Sequence, residues 1–155
     1  MSEEAAQRRA DKLADFDPNT NGHFNQGIFG LPFEVSEASL VLLPVPWDAT
    51  VSYGEGAANG PLTIWKASQQ LDLYDDLRPG LWRTGYAMAP VPQQWQQASE
   101  HCRQLVNRWL AEQDTVQPIN EACEQLNQQV KATALSYLQN GQYVGLIGGE
   151  HSVML

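Results

Sequence analysis

The strongest chemical signal in the chain is Gly148-Gly149-Glu150-His151-Ser152. These residues follow a short apolar run, residues 143–147, that reads as a buried strand. In open α/β sheets, ligands bind beyond the carboxyl ends of the strands. Two glycines there remove side-chain bulk and permit backbone angles that other residues resist. A neutral imidazole at such a point is a natural metal ligand, with Glu150 or Ser152 placed to orient the ring. A histidine bonded to a carbonyl in a tight turn has the same local sequence. The five residues alone leave both readings open.

A second set of polar residues lies in residues 47–60: Asp48, Thr50, Ser52, Tyr53, Glu55 and Asn59. This segment leaves another apolar run, residues 39–45, at the corresponding strand end. It could lend polar groups to a site, or it could be a rigid surface loop. Its glycines match neither the dinucleotide fingerprint nor the phosphate-binding P-loop pattern. His23 sits in an Asn-rich loop and His101 on a Gln-rich helical stretch, where a solvated or packing role is expected. Asp72, Asp75 and Asp76 alternate with Tyr74 and Leu77, which suits a helix-end turn better than a cation site. No Ser–His–Asp or Cys–His arrangement can be argued from spacing.

These residues need elements to hold them. Residues 3–15 read as a short amphipathic helix, stopped by Asp17-Pro18-Asn19-Thr20-Asn21-Gly22. Residues 21–33 look like an ordered loop laid on the surface. Residues 39–45 form a strand buried on both faces, with Pro44 and Pro46 at its end. Pro61 opens a helix that runs to about Leu71, with Leu62, Ile64 and Trp65 expected on its buried side. Residues 72–80 are a turn region, and residues 84–88 a short strand. Two Gln-rich helices follow, at residues 93–112 and 120–139. Apolar stripes mark them: Trp95, Ala98, Cys102, Leu105, Trp109, then Ala122, Leu126, Val130, Ala134, Leu138. Asn140-Gly141 caps the second. After the strand at residues 143–147, a helix is expected to restart at Ser152. Strand, helix and strand in this order open a parallel α/β domain. Such a sheet normally has more strands than these and both faces covered. The sequence therefore reads as the first part of a domain.

Composition bounds the partners. The chain has 155 residues, room for about one domain. Nine Lys and Arg against 18 Asp and Glu give a formal net charge of −9. That argues against binding to nucleic acid or to an anionic membrane. With 43% hydrophobic residues the chain can fill a core. No apolar run approaches the roughly 20 residues of a membrane helix, and the N-terminus lacks the apolar middle of a secretory signal. Cys102 and Cys123 have no CxxC spacing and read as two reduced thiols. A cytoplasmic location is expected.

Two motifs together resemble a known family. Val45-Pro46-Trp47-Asp48, followed by Gly56-Ala57-Ala58-Asn59-Gly60-Pro61, resembles the first strand and loop of the ureohydrolases. These are the arginases, agmatinases and related guanidino-compound hydrolases. Gly148-Gly149-Glu150-His151-Ser152 resembles their G-G-[DE]-H-S motif, with Glu150 where many members have Asp. The resemblance covers residues 39–155. It implies a three-layer α/β/α fold with a parallel sheet and a binuclear manganese site, nickel in some relatives. The implied reaction is hydrolysis of a C–N bond in a linear guanidine, giving urea and an amine. His151 then maps to a metal ligand, and Glu150 is a candidate to support it. The bound metals would activate water, which is otherwise a poor nucleophile toward a resonance-stabilised guanidinium carbon.

The departures from the pattern matter too. The family's D-A-H-x-D and S-x-D-x-D motifs are absent, and one imidazole does not make a binuclear site. Gly54-Glu55-Gly56 replaces a frequent Arg, and Trp65-Lys66 stands where many members have Ile-Arg. The expectation is a division into an N-terminal arm, residues 1–37, and an arginase-like domain over 38–155, truncated after the G-G-E-H-S motif. No catalytic residue is assigned within this chain, which alone is expected to be inactive. The expected substrate is a small cationic guanidino compound of agmatine type, and the full-length protein is expected to be a homotrimer or homohexamer. The alternative is a short non-catalytic subunit that pairs with a full-length ureohydrolase.

Overall fold

The computed structural model describes residues 2–19, 26–51, 54–112 and 115–150. The chain begins with α1, Glu3–Asp15. The Ser2 side chain caps it by accepting from the Ala5 N–H at 3.2 Å. Glu3 and Glu4 in its first turn and Lys12 in its last suit the helix dipole.

Three strands follow along the chain: β1, Leu40–Val45, β2, Tyr86–Met88, and β3, Tyr143–Gly148. Their spatial order is β2-β1-β3. β1 and β2 are parallel, with Leu40 opposite Tyr86 and Leu42 opposite Met88. β3 runs in the same sense. The Tyr143 N–H donates to the Ser39 carbonyl at 2.8 Å and the Gly149 N–H to the Val45 carbonyl at 3.2 Å. Parallel neighbours need crossovers, which helices supply. α2, Gly60–Ser68, connects β1 to β2. α3, Gln93–Glu112, and α4, Gln117–Gln139, connect β2 to β3. This is the expected α/β arrangement with a parallel sheet, in partial form. No helix among the described residues is long and apolar enough to cross a membrane.

The chain divides into two compact units interleaved in sequence. The first takes Met1–Leu43, Leu62–Ala89 and Tyr137–Gly145. Its core gathers Leu31, Phe33 and Trp82, with Leu13, Phe16, Phe29, Leu73 and Tyr86 packed around them. Phe16 and Trp82 pack with their rings tilted, 5.1 Å between centroids. Within it Glu37 is wholly buried. Its carboxylate accepts from Lys12 Nζ at 2.7 Å, Arg8 Nε at 3.2 Å and the Glu34 N–H at 2.9 Å. Burial pushes the Glu37 carboxyl up. The Glu34 N–H, the Lys12 ammonium and the Arg8 guanidinium outweigh that push, so its pKa falls below 4.5. Gln142 ties β3 to the same unit by donating to the Val35 and Ala38 carbonyls at 2.7 and 2.9 Å.

The second unit takes Pro44–Pro61, Pro90–Ser136 and Leu146–Leu155. Trp95, Ser99 and Cys102 on α3 and Ile119, Leu126 and Val130 on α4 are buried in it. Trp95 Nε1 donates to Gln129 Oε1 at 2.7 Å, which joins α3 to α4 without leaving the indole N–H unpaired. Gly141 stops α4 with φ 76°, and the Gln142 N–H returns to the Tyr137 carbonyl at 3.1 Å.

Four expectations change. β3 is not a buried strand: Tyr143 is 74% exposed and Leu146 40%. It lies at the edge of the sheet, and an apolar run is buried only where neighbours cover it. On α2, Leu62 and Ile64 are exposed. The face turned inward carries Pro61, Trp65 and Ser68, spaced i, i+4 and i+7, and α2 stops at Ser68 short of Leu71. The described part of the 21–33 loop is not surface-laid, since Ile28, Leu31 and Phe33 are buried. The strand expected at residues 84–88 begins at Tyr86, after a 3-10 turn at Leu81–Thr84.

Candidate functional site

The second unit holds the polar groups that the sequence placed at strand ends. β1 ends at Val45, and Trp47 and Ala49 bury beyond it at 1% and 0% exposure. Asp48, between them, stays half-buried and turns its carboxylate onto its own loop. Oδ2 accepts from the Gly56 and Ala58 N–H groups at 2.9 and 3.2 Å. These amides lie in the turn before α2, and the carboxylate satisfies them as a capping side chain does. The Asp48 N–H donates to Ser99 Oγ at 3.1 Å, and the hydroxyl reaches back toward Asp48 Oδ1 at 3.4 Å. Arg103 Nη2 donates to the Asp48 carbonyl oxygen. Arg103 Nε lies 3.8 Å from Glu55 Oε1. The described part of the loop is therefore tied to itself and to α3 through polar groups.

The end of β3 meets the same loop. The Gly149 N–H bonds to the Val45 carbonyl and the Glu150 N–H to the Trp47 carbonyl at 3.1 Å. A Cβ on Gly149 would collide with the Trp47 carbonyl oxygen and stand 2.9 Å from the Ala57 carbonyl. Only glycine fits there. The Glu150 carboxylate accepts from the Thr50 hydroxyl at 2.5 Å and the Thr50 N–H at 3.2 Å, both on Oε1. Asp48, Glu55, Asn59, Gln96, Glu100 and Arg103 line an adjoining cleft of about 430 Å³.

The two thiols are free. Burial, the adjacent Cys123 and the charge of Glu150 push Cys102 up to about 12, against a smaller pull from Arg103. Burial also raises Cys123, helped by Glu150 and opposed by the Cys102 hydrogen bond. Thiols so raised are poor nucleophiles.

Of the residues singled out in the sequence, Glu150 and Asp48 come to one loop. His151 and the helix expected from Ser152 lie outside the described residues, as do His23, Ser52 and Tyr53. His101 is exposed on α3. Asp72 and Asp75 accept from the N–H groups of Tyr74 and Leu77, which makes them turn residues. Among the described residues no group of three or more His, Cys, Asp or Glu gathers to hold a metal ion. Sequence reasoning missed Ser99 and Arg103. Their signal was a serine on the buried Trp95–Cys102 stripe, which needs a polar partner, with an arginine one turn later.

The profile described as Arginase family matches residues 38–155. An N(1)-aminopropylagmatine ureohydrolase of Thermus thermophilus is 32% identical over 122 residues, covering 79% of this chain and 33% of the relative. The protein of the same description from Synechocystis is 27% identical over 121 residues, covering 76% and 33%. The chain thus spans about a third of the length of the curated relatives it matches. No solved structure matches it. The matched range takes in both motifs, the loop organised by Asp48 and the Gly-Gly-Glu turn beneath it, and the chain belongs to the arginase family.

Proposed function

We propose that this chain supplies the first-loop and first-histidine part of a ureohydrolase. That enzyme removes urea from a linear guanidino compound with a cationic amine tail, of the agmatine type and extended by an aminopropyl arm. The observation that carries this is the family match over residues 38–155, with Asp48 and Glu150 brought to one loop beyond β1 and β3. The net charge of −9 and the cleft carboxylates of Glu55 and Glu100 favour a cationic substrate. The resident cofactor in this reading is a binuclear metal centre, manganese or nickel, with His151 as one ligand. Its chemistry is activation of water for attack on the guanidinium carbon. The part played by the described residues is structural: Asp48, Ser99 and Arg103 fix the loop, and the loop fixes Glu150.

A second reading draws on the exposed edge of β3. An open strand edge is a template for strand addition, and a non-catalytic subunit would use it to pair with a full-length relative.

The test is urea release by the complete gene product, supplied with manganese or nickel. Agmatine, aminopropylagmatine, guanidinobutyrate, arginine and free guanidine are offered in turn. The proposal expects turnover of the amine-tailed compounds and none by residues 1–155 alone. Absence of urea from every compound with either metal contradicts it. Inactivity alone combined with co-purification with a full-length relative selects the subunit reading.

A further inference from the structure

We infer that Thr50 is a positioning residue: by clamping Glu150 through its amide and hydroxyl together, it sets the point from which the chain passes to His151. The residue to be positioned rests on the ureohydrolase reading, whereas the clamp itself stands on geometry. Both Thr50 donors converge on one oxygen, Glu150 Oε1, at 3.2 and 2.5 Å. Bonds to an ionised carboxylate are the strong class of hydrogen bond. The backbone on either side is already committed: Gly149 bonds to Val45, and Glu150 bonds to Trp47.

Thr50 is exposed, so its side chain is not there to fill a core. Its neighbour Ala49 and nearby Trp47 are fully buried, which anchors the base of the loop from which Thr50 reaches. Gly149 has no room for a side chain, so the turn is pressed against this loop. Two main-chain bonds fix the height of the turn, and the carboxylate clamp fixes its rotation. His151 is the next residue in the chain.

The test compares Thr50→Val, which keeps the shape and loses the hydroxyl, with Thr50→Ser, which keeps the hydroxyl. Both are made in the complete gene product. The first readout is hydrogen exchange of the Gly149 and Glu150 amides in the metal-free protein. Exchange is expected to quicken about tenfold in Thr50→Val and to stay within twofold of wild type in Thr50→Ser. The second readout is urea release from agmatine and aminopropylagmatine. In Thr50→Val, kcat is expected to fall about tenfold or more with KM unchanged, and Thr50→Ser is expected to restore it.

Unchanged exchange in Thr50→Val overturns the clamp. Quickened exchange with unchanged kcat overturns the positioning role and leaves a plain loop tie. Equal losses in both variants overturn the assignment to the hydroxyl. A wild type that releases no urea from either compound sinks the ureohydrolase reading instead, and exchange alone then decides the clamp.

Discussion

Glu37 and Asp48 both hold a loop in place with a carboxylate, and they do it by opposite means. Glu37 is wholly buried and takes its bonds from two cations and one N–H. Asp48 is half-buried and takes its bonds from neutral donors, the Gly56 and Ala58 amides and the Ser99 hydroxyl. The nearby cation, Arg103, goes to the Asp48 carbonyl and leaves the carboxylate alone. Withdrawing charges from water is costly unless they are paired. The first region carries that cost at a joint between α1 and the segment before β1. The second keeps its charges partly solvated beside a cleft, which is the arrangement expected where a polar ligand must be met.

The largest break in this comparison is expected from Glu37→Gln. It leaves Arg8 and Lys12 facing a neutral partner and should cost about 3 kcal/mol in chemical unfolding. The pH dependence follows from the lowered Glu37 pKa. The folded value lies below the unfolded value, so the contribution is present above about pH 4.5 and is lost as pH falls through the folded value. Acid titration of stability should therefore be flatter in Glu37→Gln than in wild type.

A smaller loss is expected from Asp48→Ala, about 2 kcal/mol, because two loop amides and the Ser99 hydroxyl lose their acceptor. Limited proteolysis should show new cleavage within residues 47–60. Ser99→Ala should cost about 1 kcal/mol, read as a shift in the denaturation midpoint.

The smallest response concerns the thiols. With Cys102 near 12, only about one thiol in ten thousand is ionised at pH 8, by the ordinary titration relation. Cys102 should resist alkylation in the native protein and react once it is unfolded. Native labelling as fast as unfolded labelling would place the thiol in a different environment.

Much of the scaffold was legible in the sequence because it depends on local periodicity. The stripe that includes Trp95 and Cys102 marks α3, found at Gln93–Glu112 with both ends as expected. Asn140-Gly141 marks the end of α4 because a left-handed residue is required there. What could not be read depends on distant parts of the chain. The apolar run of β3 predicts burial only if neighbouring strands exist on both sides, and its outer edge is open among the described residues. Ile28 and Leu31 look like loop residues until Ser68 and Gln69 of the α2 end bond to their segment. Within the site, the Gly-Gly-Glu turn was visible as a motif. Its partner Thr50 stands 100 residues earlier, where no spacing rule connects the two.

On the ureohydrolase proposal, the most direct measurement of the division between the two regions is kcat for urea release per folded molecule in Glu37→Gln and Asp48→Asn. Both are made in the complete gene product and assayed with manganese, well below their melting temperatures. Glu37→Gln is predicted to keep kcat within twofold of wild type while losing stability. Asp48→Asn is predicted to lose at least about tenfold in kcat, since the loop that holds Glu150 is loosened. A fall in Glu37→Gln as large as that in Asp48→Asn, or an Asp48→Asn enzyme with wild-type kcat, would contradict the separation of a carboxylate that holds only the fold from one that holds the loop at the site.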